Sequence, residues 1–447
     1  MDKQPGQFHL FTQRRFLPFF TTQFLGALND NLFKNALLVI IVSLGVSEAA
    51  SSTNFLTNLA AGLFILPYFL FSTTAGQLAD KYDKAYLIRR IKFAEIIIML
   101  IGCYALYITN ISLMMFILFL LGVQSSFFGP IKYSIIPQHL APEELMAGNA
   151  QVGMGTFVSI LLGTLLGGWL VTFPLGTVWV GSLAVVVAII GWWGSCKIPD
   201  APADKGKGEI KISLNPIREA WRNLGFAREN MTVFYCIMGI SWFWLFGGSF
   251  LTQVPNFAMT VLQGHPTLIS ILLAAFIIGV AIGSILCAKV SGQQVEPGLI
   301  PLGAIGLTVF SGDIFFSSNA FQLASQGMTE ILPTEFLLMG SGIRVLVDLV
   351  AIGLFGGIFI VPLYAMVQSR TASNKRARVI AANNVFNALF MVSGALIGIL
   401  CLSIVQMSIP QFFLTISAAN LLFLIILTWR VPEFKLRFMA WVTHRRG

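Results

Sequence analysis

The sequence contains twelve apolar runs that are each long enough to cross a lipid bilayer, and this feature limits the possible folds more than any other. A bilayer core about 30 Å thick needs about 20 apolar residues in a helix that rises about 1.5 Å per residue. The runs, numbered as predicted spans 1 to 12, lie at 17–45, 53–76, 91–109, 112–134, 147–173, 177–196, 231–256, 267–289, 298–318, 341–367, 379–404 and 410–430. Only 11% of the residues are charged, against about 25% in soluble domains. The sequence therefore predicts an all-α polytopic membrane protein with 12 transmembrane helices, and it excludes a soluble enzyme, a secreted disulfide protein and a disordered chain.

One polar stretch, from Lys197 to Asn230, divides the twelve runs into two sets of six. Within it, Ile217, Trp221 and Leu224 recur at helical spacing opposite several arginines, which is typical of an amphipathic helix on a membrane surface. The predicted organisation is an N-terminal six-helix half at 1–196, a cytoplasmic linker with this helix at 197–230, a C-terminal six-helix half at 231–432 and a basic amphipathic tail at 433–447.

Lysine and arginine are distributed unequally between the two sides of the predicted membrane. Neither occurs in the connections 43–52, 110–111, 174–176, 257–266, 319–340 and 405–409. Because cytoplasmic connections carry the excess of Lys and Arg, this pattern predicts that both termini are cytoplasmic. The formal net charge of +9 then reflects membrane topology, and no nucleic-acid partner is expected.

The sequence offers no pattern for catalysis, metal binding or nucleotide hydrolysis. The five cysteines lie singly in apolar stretches, as small buried hydrophobic residues do. There is no Walker A pattern, and the central linker is too short for an ATPase domain. We therefore expect no enzyme activity, no cofactor and no metal site.

Two stretches share an order of residues that favours two pseudo-symmetric halves. Phe128-Gly129, Pro137, Asn149 and Gly163-x3-Gly167 are matched by Phe355-Gly356, Pro362, Asn383 and Gly394-x3-Gly398. Small residues four apart let helices approach closely in lipid. We expect six glycines of spans 5, 8 and 11 to let neighbouring helices slide at a lateral opening: Gly163, Gly167, Gly279, Gly283, Gly394 and Gly398.

Ionisable residues inside a membrane are energetically costly and usually mark a functional pathway. Asp30 and Lys34 in span 1, and Arg344 and Asp348 in span 10, are spaced four residues apart, so the members of each pair can partly neutralise each other. The alternative for each pair is a structural ion pair within the membrane or a lock between the two halves. The candidate binding residues of the spans are Asp30, Asn31, Lys34, Lys132, Gln253, Asn256, Arg344, Asp348, Asn383 and Asn387.

The loop between spans 2 and 3 reads Gly76-Gln-Leu-Ala-Asp80-Lys81-Tyr-Asp83-Lys84. It resembles the G-x-L-a-D-R/K-x-G-R/K motif of the major facilitator superfamily, with Asp83 where glycine is usual. An acidic residue at this boundary can hold basic groups or a helix N-terminus in one conformation and release them in another. Gly76, Asp80, Lys81 and Lys84 are therefore predicted to form a conformational switch.

The superfamily resemblance implies that spans 1, 4, 7 and 10 line a central cavity, and these spans carry most of the candidate binding residues. Glu95 and Asp313 lie on other spans and are expected to be structural. Since the chain has no place for an ATPase, the resemblance implies transport that is facilitated or driven by an ion gradient.

Three segments resemble the bacterial lysophospholipid transporter branch of the superfamily: Gln23-Phe-Leu-Gly-Ala-Leu-Asn-Asp-Asn31, Phe128-Gly-Pro-Ile-Lys-Tyr133 and Val361-Pro-Leu-Tyr-Ala-Met-Val-Gln368. Asn383-Asn-Val-Phe-Asn-Ala-Leu-Phe-Met391 is similar to the branch that is fused to an acyltransferase and an acyl-acyl-carrier-protein synthetase. The resemblance implies inward flipping of lysophosphatidylethanolamine-type lipids across the bacterial inner membrane, by a monomer that can work with such an acyltransferase. The sequence ends at Gly447, where a fused acyltransferase would begin, so a separate protein and part of a longer one both remain open.

The chemistry of such a substrate fits the candidate residues. A lysophosphoethanolamine headgroup carries a phosphate beside an ammonium, and it needs a site with one charge of each sign. Asp30 would bind the ammonium, and Lys34 or Lys132 the phosphate, while the acyl chain enters from the side. Asn383, Asn384 and Asn387 would give the edge of span 11 at the opening a polar lining.

Two alternative functions remain open on sequence alone. Gly163-Thr-Leu-Leu-Gly167-Gly168 resembles the Gly-Pro-x-x-Gly-Gly element of superfamily exporters, which favours a proton-coupled exporter of amphipathic drugs or siderophore-like metabolites. The second alternative is a membrane anchor that positions an acyltransferase and transports nothing.

Overall fold

The structure is a computed structural model that describes residues 7–45, 50–203, 212–292, 294–328 and 330–444. Apart from one isolated bridge between Gly264 and Ile331, these residues contain no strand pairing. The α-helices of the described residues are α1 Leu17–Gly45, α2 Ala50–Lys81, α3 Lys84–Tyr107, α4 Ile111–His139, α5 Leu145–Leu170, α6 Gly176–Ser195, α7 Pro216–Arg228, α8 Met231–Asn256, α9 Thr267–Val290, α10 Leu299–Ala324, α11 Pro333–Leu338, α12 Gly340–Arg370, α13 Arg376–Ile399, α14 Ile409–Arg430 and α15 Pro432–His444.

Eleven helices of the described residues are long and apolar enough to cross a membrane. The predicted all-helical, multi-pass membrane architecture is therefore confirmed. Predicted span 3, at 91–109, overlaps α3 Lys84–Tyr107. This helix is not among the eleven, because its first half carries charges such as Arg90, Lys92 and Glu95. The count of twelve spans and the cytoplasmic position of both termini stay predictions.

Polar side chains fix where several helices begin. Asp83 accepts a hydrogen bond from the Tyr86 amide at 2.7 Å, and it thereby caps α3. Asn110 accepts from the Leu113 amide at 2.9 Å at the start of α4. Such caps satisfy backbone donors that the first turn of a helix leaves free. They set the short connections on either side of α3.

The chain forms two compact units. The first comprises Met1–Gly148, Gly155–Met231 and Gln368–Ala388, and the second comprises Asn149–Met154, Thr232–Val367 and Leu389–Gly447. The beginning of α13 thus belongs to the first unit, although it lies in the predicted C-terminal half. The division into two six-helix halves, a linker and a tail stays a prediction.

Each unit has its own apolar core. In the first, Phe33 of α1 and Leu118 of α4 are fully buried among residues of α3 and α6. In the second, Phe250 of α8 stacks on Phe413 of α14 with ring centroids 4.2 Å apart. Close packing of such side chains holds helices together in lipid, where expulsion of water does not contribute.

Besides the six-residue α11, the described residues include α7 and α15, two helices of 13 residues that are too short to cross a membrane. In α7, capped by Asn215, the side chains of Glu219 and Leu224 are buried, whereas Ile217 and Trp221 are exposed. In α15, Arg437 forms an ion pair with Glu296 at 2.8 Å. Residues 204–211 of the predicted linker and 445–447 of the predicted tail lie outside the described residues.

Candidate functional site

Asp30 lies near the middle of α1 and is 7% exposed. Its Oδ2 accepts a hydrogen bond from the hydroxyl of Ser125 on α4 at 2.5 Å. Its Oδ1 is buried without a hydrogen-bond partner among the described residues. A buried acceptor of this kind costs free energy unless a ligand or water satisfies it, so Asp30 has one carboxylate oxygen available for a donor.

Lys34 is one helical turn from Asp30, as the sequence predicts, but the two side chains form no ion pair in the described part of the chain. The ammonium of Lys34 lies 5.6 Å from the centroid of the Phe64 ring on α2. An aromatic face attracts a cation through its quadrupole. Partial neutralisation of Asp30 by Lys34 therefore acts through space and without a direct bond.

A buried polar network lies beside Asp30 and includes a residue that the sequence predicts to be merely structural. Glu95 of α3 is 1% exposed, and its two oxygens accept from three donors. Lys92 Nζ lies 2.6 Å from Oε2, Gln124 Nε2 donates to Oε2 at 2.9 Å, and Asn29 Nδ2 donates to Oε1 at 3.0 Å. The network joins α1, α3 and α4 within the first unit.

The ammonium of Lys92 is accommodated by a glycine. A side-chain carbon added at Gly26 of α1 would overlap Lys92 Nζ. The same ammonium lies 4.8 Å from the centroid of the Phe128 ring. Gly26 therefore makes room for a buried positive charge in the segment that resembles lysophospholipid transporters.

Lys132 of α4 is also buried, at 8% exposure. Its ammonium donates to Thr156 Oγ1 at 2.8 Å, and Thr156 donates to Gln23 Oε1 at 3.1 Å. Its Nζ lies 5.2 Å from the Tyr133 ring centroid. No carboxylate forms an ion pair with Lys132 in the described residues, so its positive charge is available to an anionic group.

The candidate asparagines differ in their surroundings. Asn31 donates to the Ala27 carbonyl of its own helix at 2.8 Å, so one of its donors is already used. Asn383 is 1% exposed, and neither its amide nitrogen nor its amide oxygen has a partner in the described residues. Asn384 Nδ2 faces Gly129, where an added side-chain carbon would lie 2.5 Å away. Asn387 is half-buried on α13.

In the second unit, Arg344 pairs with a residue other than the one predicted. Its Nη2 and Nε donate to the two oxygens of Asp313 on α10 at 2.6 and 3.0 Å. Asp348, which the sequence predicts to be its partner, is 2% exposed and accepts from Ser317 Oγ at 2.7 Å. The planar guanidinium favours a two-bonded carboxylate, and Asp313 offers both of its oxygens.

The two candidates of predicted span 7 lie close together at the end of α8. Asn256 Nδ2 donates to Gln253 Oε1 at 3.4 Å, and Asn256 is exposed. They belong to the second unit, as do Arg344 and Asp348. The other six candidate binding residues belong to the first unit.

The predicted switch motif contacts the beginning of α13, and both belong to the first unit. Asp80 accepts from Arg378 Nε at 2.9 Å and from the Ala377 amide at 3.1 Å. At Gly76 an added side-chain carbon would lie 2.7 Å from Ala381 Cβ. Lys84 is buried, and Lys81 is exposed with its ammonium 5.7 Å from the Tyr82 ring centroid.

The six candidate gate glycines face different neighbours. Side-chain carbons added at Gly163 and Gly167 would overlap the carbonyls of Leu28 and Leu32 on α1, and those at Gly279 and Gly283 would overlap the carbonyls of Val350 and Leu354 on α12. A carbon at Gly394 would lie 3.1 Å from Ser249 Oγ, and one at Gly398 would lie 3.9 Å from the Phe412 ring. Four of the six therefore allow direct backbone contact between helices.

Sequence reasoning did not single out Lys92, Gln124, Ser125, Thr156 or Gln23 as site residues. All five are polar residues in apolar runs, and that signal is visible in the sequence. Which neighbouring helix each of these side chains contacts depends on how the helices pack, and only the structure shows that packing.

The fold and the buried charges define a membrane transporter, and comparison with known proteins supports this class. The chain belongs to the major facilitator superfamily, whose family model matches residues 19–343. Among solved structures, the chain is similar to the human organic anion transporter MFSD10, with a TM-score of 0.70 and 16% identity over 95% of this chain and 100% of that one. It is also similar to the Escherichia coli fucose:proton symporter FucP, with a TM-score of 0.67 and 11% identity over 93% of this chain and 98% of that one. These likenesses show the fold alone.

Two relatives whose names state a substrate indicate a particular branch of the superfamily. The chain is 25% identical over 365 residues to the lysophospholipid transporter LplT of Enterobacter sp. (strain 638), which covers 78% of this chain and 79% of that protein. It is 27% identical over 363 residues to LplT of Escherichia coli O1:K1, which covers 78% of each. The predicted resemblance to the lysophospholipid transporter branch is thereby confirmed.

Proposed function

We propose that the protein is a lysophospholipid flippase that moves lysophosphatidylethanolamine-type lipids to the cytoplasmic leaflet of the bacterial inner membrane. The similarity to transporters named for lysophospholipids supports the substrate class. The observation that carries the proposal is the presence of two opposite charges, on Asp30 and Lys132, that are each more than nine-tenths buried in the first unit. Charges that are retained at membrane depth mark a binding site or a pathway.

Each charge has a role in recognition of a zwitterionic headgroup. Asp30 Oδ1 accepts a hydrogen bond from the substrate ammonium, because this oxygen has no other donor among the described residues. Lys132 binds the phosphate, because its only described side-chain hydrogen bond goes to the neutral hydroxyl of Thr156. Lys34 supplies a second positive charge one turn from Asp30.

The remaining candidates have supporting roles in this proposal. Asn383, whose buried amide has no hydrogen-bond partner among the described residues, gives the acyl-chain opening a polar lining together with Asn384 and Asn387. Asn31 is a further binding candidate on α1. Gln253, Asn256, Arg344 and Asp348 are the candidate binding residues of the second unit. The gate glycines permit helices to slide while the lipid enters from the side.

Alternating access requires a contact that forms and breaks, and the switch motif supplies it. Asp80 holds Arg378 in the described conformation, and Lys81 and Lys84 lie beside it. Release of this ion pair accompanies the change of conformation. We also propose that the protein is a monomer with both termini in the cytoplasm, where an acyltransferase receives the lipid.

Translocation of fluorescent lysophosphatidylethanolamine across the membrane of proteoliposomes tests the proposal, with and without an imposed ion gradient. Asp30→Asn and Lys132→Met should each reduce the rate by on the order of tenfold or more, since each removes a charge-assisted hydrogen bond to the substrate. Lys435→Met, which removes an exposed lysine from α15, is the matched control and should leave the rate unchanged. The proposal is abandoned if the wild-type protein moves no lysolipid, or if both charge variants transport normally.

A further inference from the structure

The ion pair between Lys92 and Glu95 has no role in the proposed binding of substrate, yet both side chains are at most 2% exposed. Taking two charges out of water is costly, and an apolar pair of the same volume is often at least as stable. A pair that only held helices together could therefore be replaced by apolar residues. Its hydrogen bonds indicate what else it does.

Glu95 fixes the orientation of an amide that lies next to Ser125. Gln124 must turn its Nε2 toward Glu95, because a carboxylate only accepts hydrogen bonds. Its Oε1 then faces the Ser125 hydroxyl at 3.2 Å. That hydroxyl has one hydrogen, and it donates along the shorter contact of 2.5 Å to Asp30 Oδ2.

The second oxygen of Glu95 acts on the other side of Asp30. Asn29, the residue before Asp30, donates from Nδ2 to Glu95 Oε1 at 3.0 Å. Glu95 thus holds the neighbour of Asp30 on α1 and the neighbour of Ser125 on α4. Lys92 in turn neutralises Glu95 from the space that Gly26 leaves open.

We propose that Lys92 and Glu95 are positioning residues. By holding Asn29 and Gln124, the neighbours of Asp30 and Ser125, they fix these two side chains so that Ser125 donates to Asp30 Oδ2 and Oδ1 stays open as an acceptor for an ammonium group. This inference rests on the proposed function and names the substrate class that the site prefers. A lysophospholipid with an amine in its headgroup gains a hydrogen bond at Oδ1. A lysophospholipid with a glycerol headgroup lacks the positive charge that makes this bond strong.

The test compares transport of lysophosphatidylethanolamine with that of lysophosphatidylglycerol by the full-length protein in proteoliposomes. Glu95→Gln keeps the shape of the side chain but removes the charge that Lys92, Gln124 and Asn29 bind, so the neighbours of Asp30 and Ser125 are held less firmly. We expect the ratio of kcat/KM for the two lipids to fall by about tenfold, mainly through a higher KM for the amine lipid. Glu296→Gln removes the exposed pair with Arg437 in the second unit, and it should leave the ratio unchanged.

A second variant keeps the test informative if Glu95→Gln does not fold. Gly26→Ala displaces the Lys92 ammonium without changing any charge, and we expect it to lower the same ratio. Equal losses for both lipids in Glu95→Gln and in Gly26→Ala, or an unchanged ratio in both, would show that the pair is only structural. If the wild-type protein moves neither lipid, the proposed function fails and the inference fails with it. If the wild-type protein moves both and the ratio does not respond, only the inference is overturned.

Discussion

Asp80 and Arg378 are 298 positions apart in the sequence, yet the Oδ2 of the first accepts a hydrogen bond from the Nε of the second at 2.9 Å. The Asp80 side chain is completely buried, and that of Arg378 is 12% exposed. Phe226 of α7 packs on the guanidinium of Arg378, 4.7 Å from its ring centroid. The carboxylate of the switch motif is therefore bound to the beginning of α13 and screened from solvent.

Replacement of Arg378 should be more harmful than replacement of both members of this pair. Arg378→Leu leaves the buried Asp80 charge without its partner, which costs about 3–5 kcal/mol in comparable pairs. Asp80→Leu combined with Arg378→Leu removes both charges, and it should recover most of the lost thermal stability in detergent. Both variants should transport poorly, because the contact that forms and breaks is gone.

The exposed pair of Glu296 and Arg437 provides the control for this experiment. Arg437→Leu should cost only about 0–1 kcal/mol, as is usual for an exposed ion pair. Equal shifts of the unfolding temperature in Arg378→Leu and Arg437→Leu would contradict the burial argument.

Most helices could be predicted from the sequence, for a physical reason. A chain in hydrocarbon must satisfy its backbone hydrogen bonds internally, so an apolar run of about 20 residues has no alternative to a helix. The run at 112–134 lies within α4, and the run at 410–430 differs from α14 by one residue. The run at 91–109 starts seven residues after α3 begins at Lys84, because the charges of the first turns of this helix interrupt the apolar signal.

The partners of the charged residues could not be predicted in the same way. Spacing along one helix shows which residues share a face, and it pairs Arg344 with Asp348. It does not show which face meets another helix, and that meeting joins Arg344 to Asp313 on α10. The same limit applies to Glu95, whose donors come from α1 and α4 as well as α3.

The pairing of Arg344 can be measured by double-mutant cycles on thermal stability. The cycle of Arg344→Gln with Asp313→Asn should give a coupling of about 0.5–1 kcal/mol, since the pair is bidentate but half-exposed. The cycle of Arg344→Gln with Asp348→Asn should give a smaller value, because Asp348 is hydrogen-bonded to Ser317. A larger coupling with Asp348 would support the pairing that the sequence predicts.

The gate glycines should differ in their tolerance of a side chain. Gly283→Ala places a methyl group against the Leu354 carbonyl, and α9 can accept it only by moving away from α12. Overpacking of this kind costs about 1–3 kcal/mol, so the unfolding temperature should fall and lysolipid transport should slow. Gly398→Ala meets no atom closer than 3.9 Å and should keep both properties. Equal tolerance at the two positions would argue against close contact between α9 and α12.

The exposed apolar face of α7 should lie in the membrane interface. Ile217 and Trp221 are 71% and 66% exposed, whereas Glu219 and Asn223 on the opposite face are buried. An apolar face that points away from the protein, with arginines beside it, is typical of a helix that lies on a bilayer surface. If this apolar surface were exposed to water, the exposure would cost about 25 cal/mol of free energy per Å².

Spin labels on α7 test this placement in proteoliposomes. In a Cys196→Ser background, which removes an exposed native thiol, labels at Ile217→Cys and Trp221→Cys should be relaxed by oxygen more than by a water-soluble nickel complex, because oxygen concentrates in lipid. A label at Asp200→Cys, whose side chain is 83% exposed, should show the opposite preference. If the labels at 217 and 221 behaved like the label at 200, α7 would lie in water, and its apolar face would need another protein to cover it.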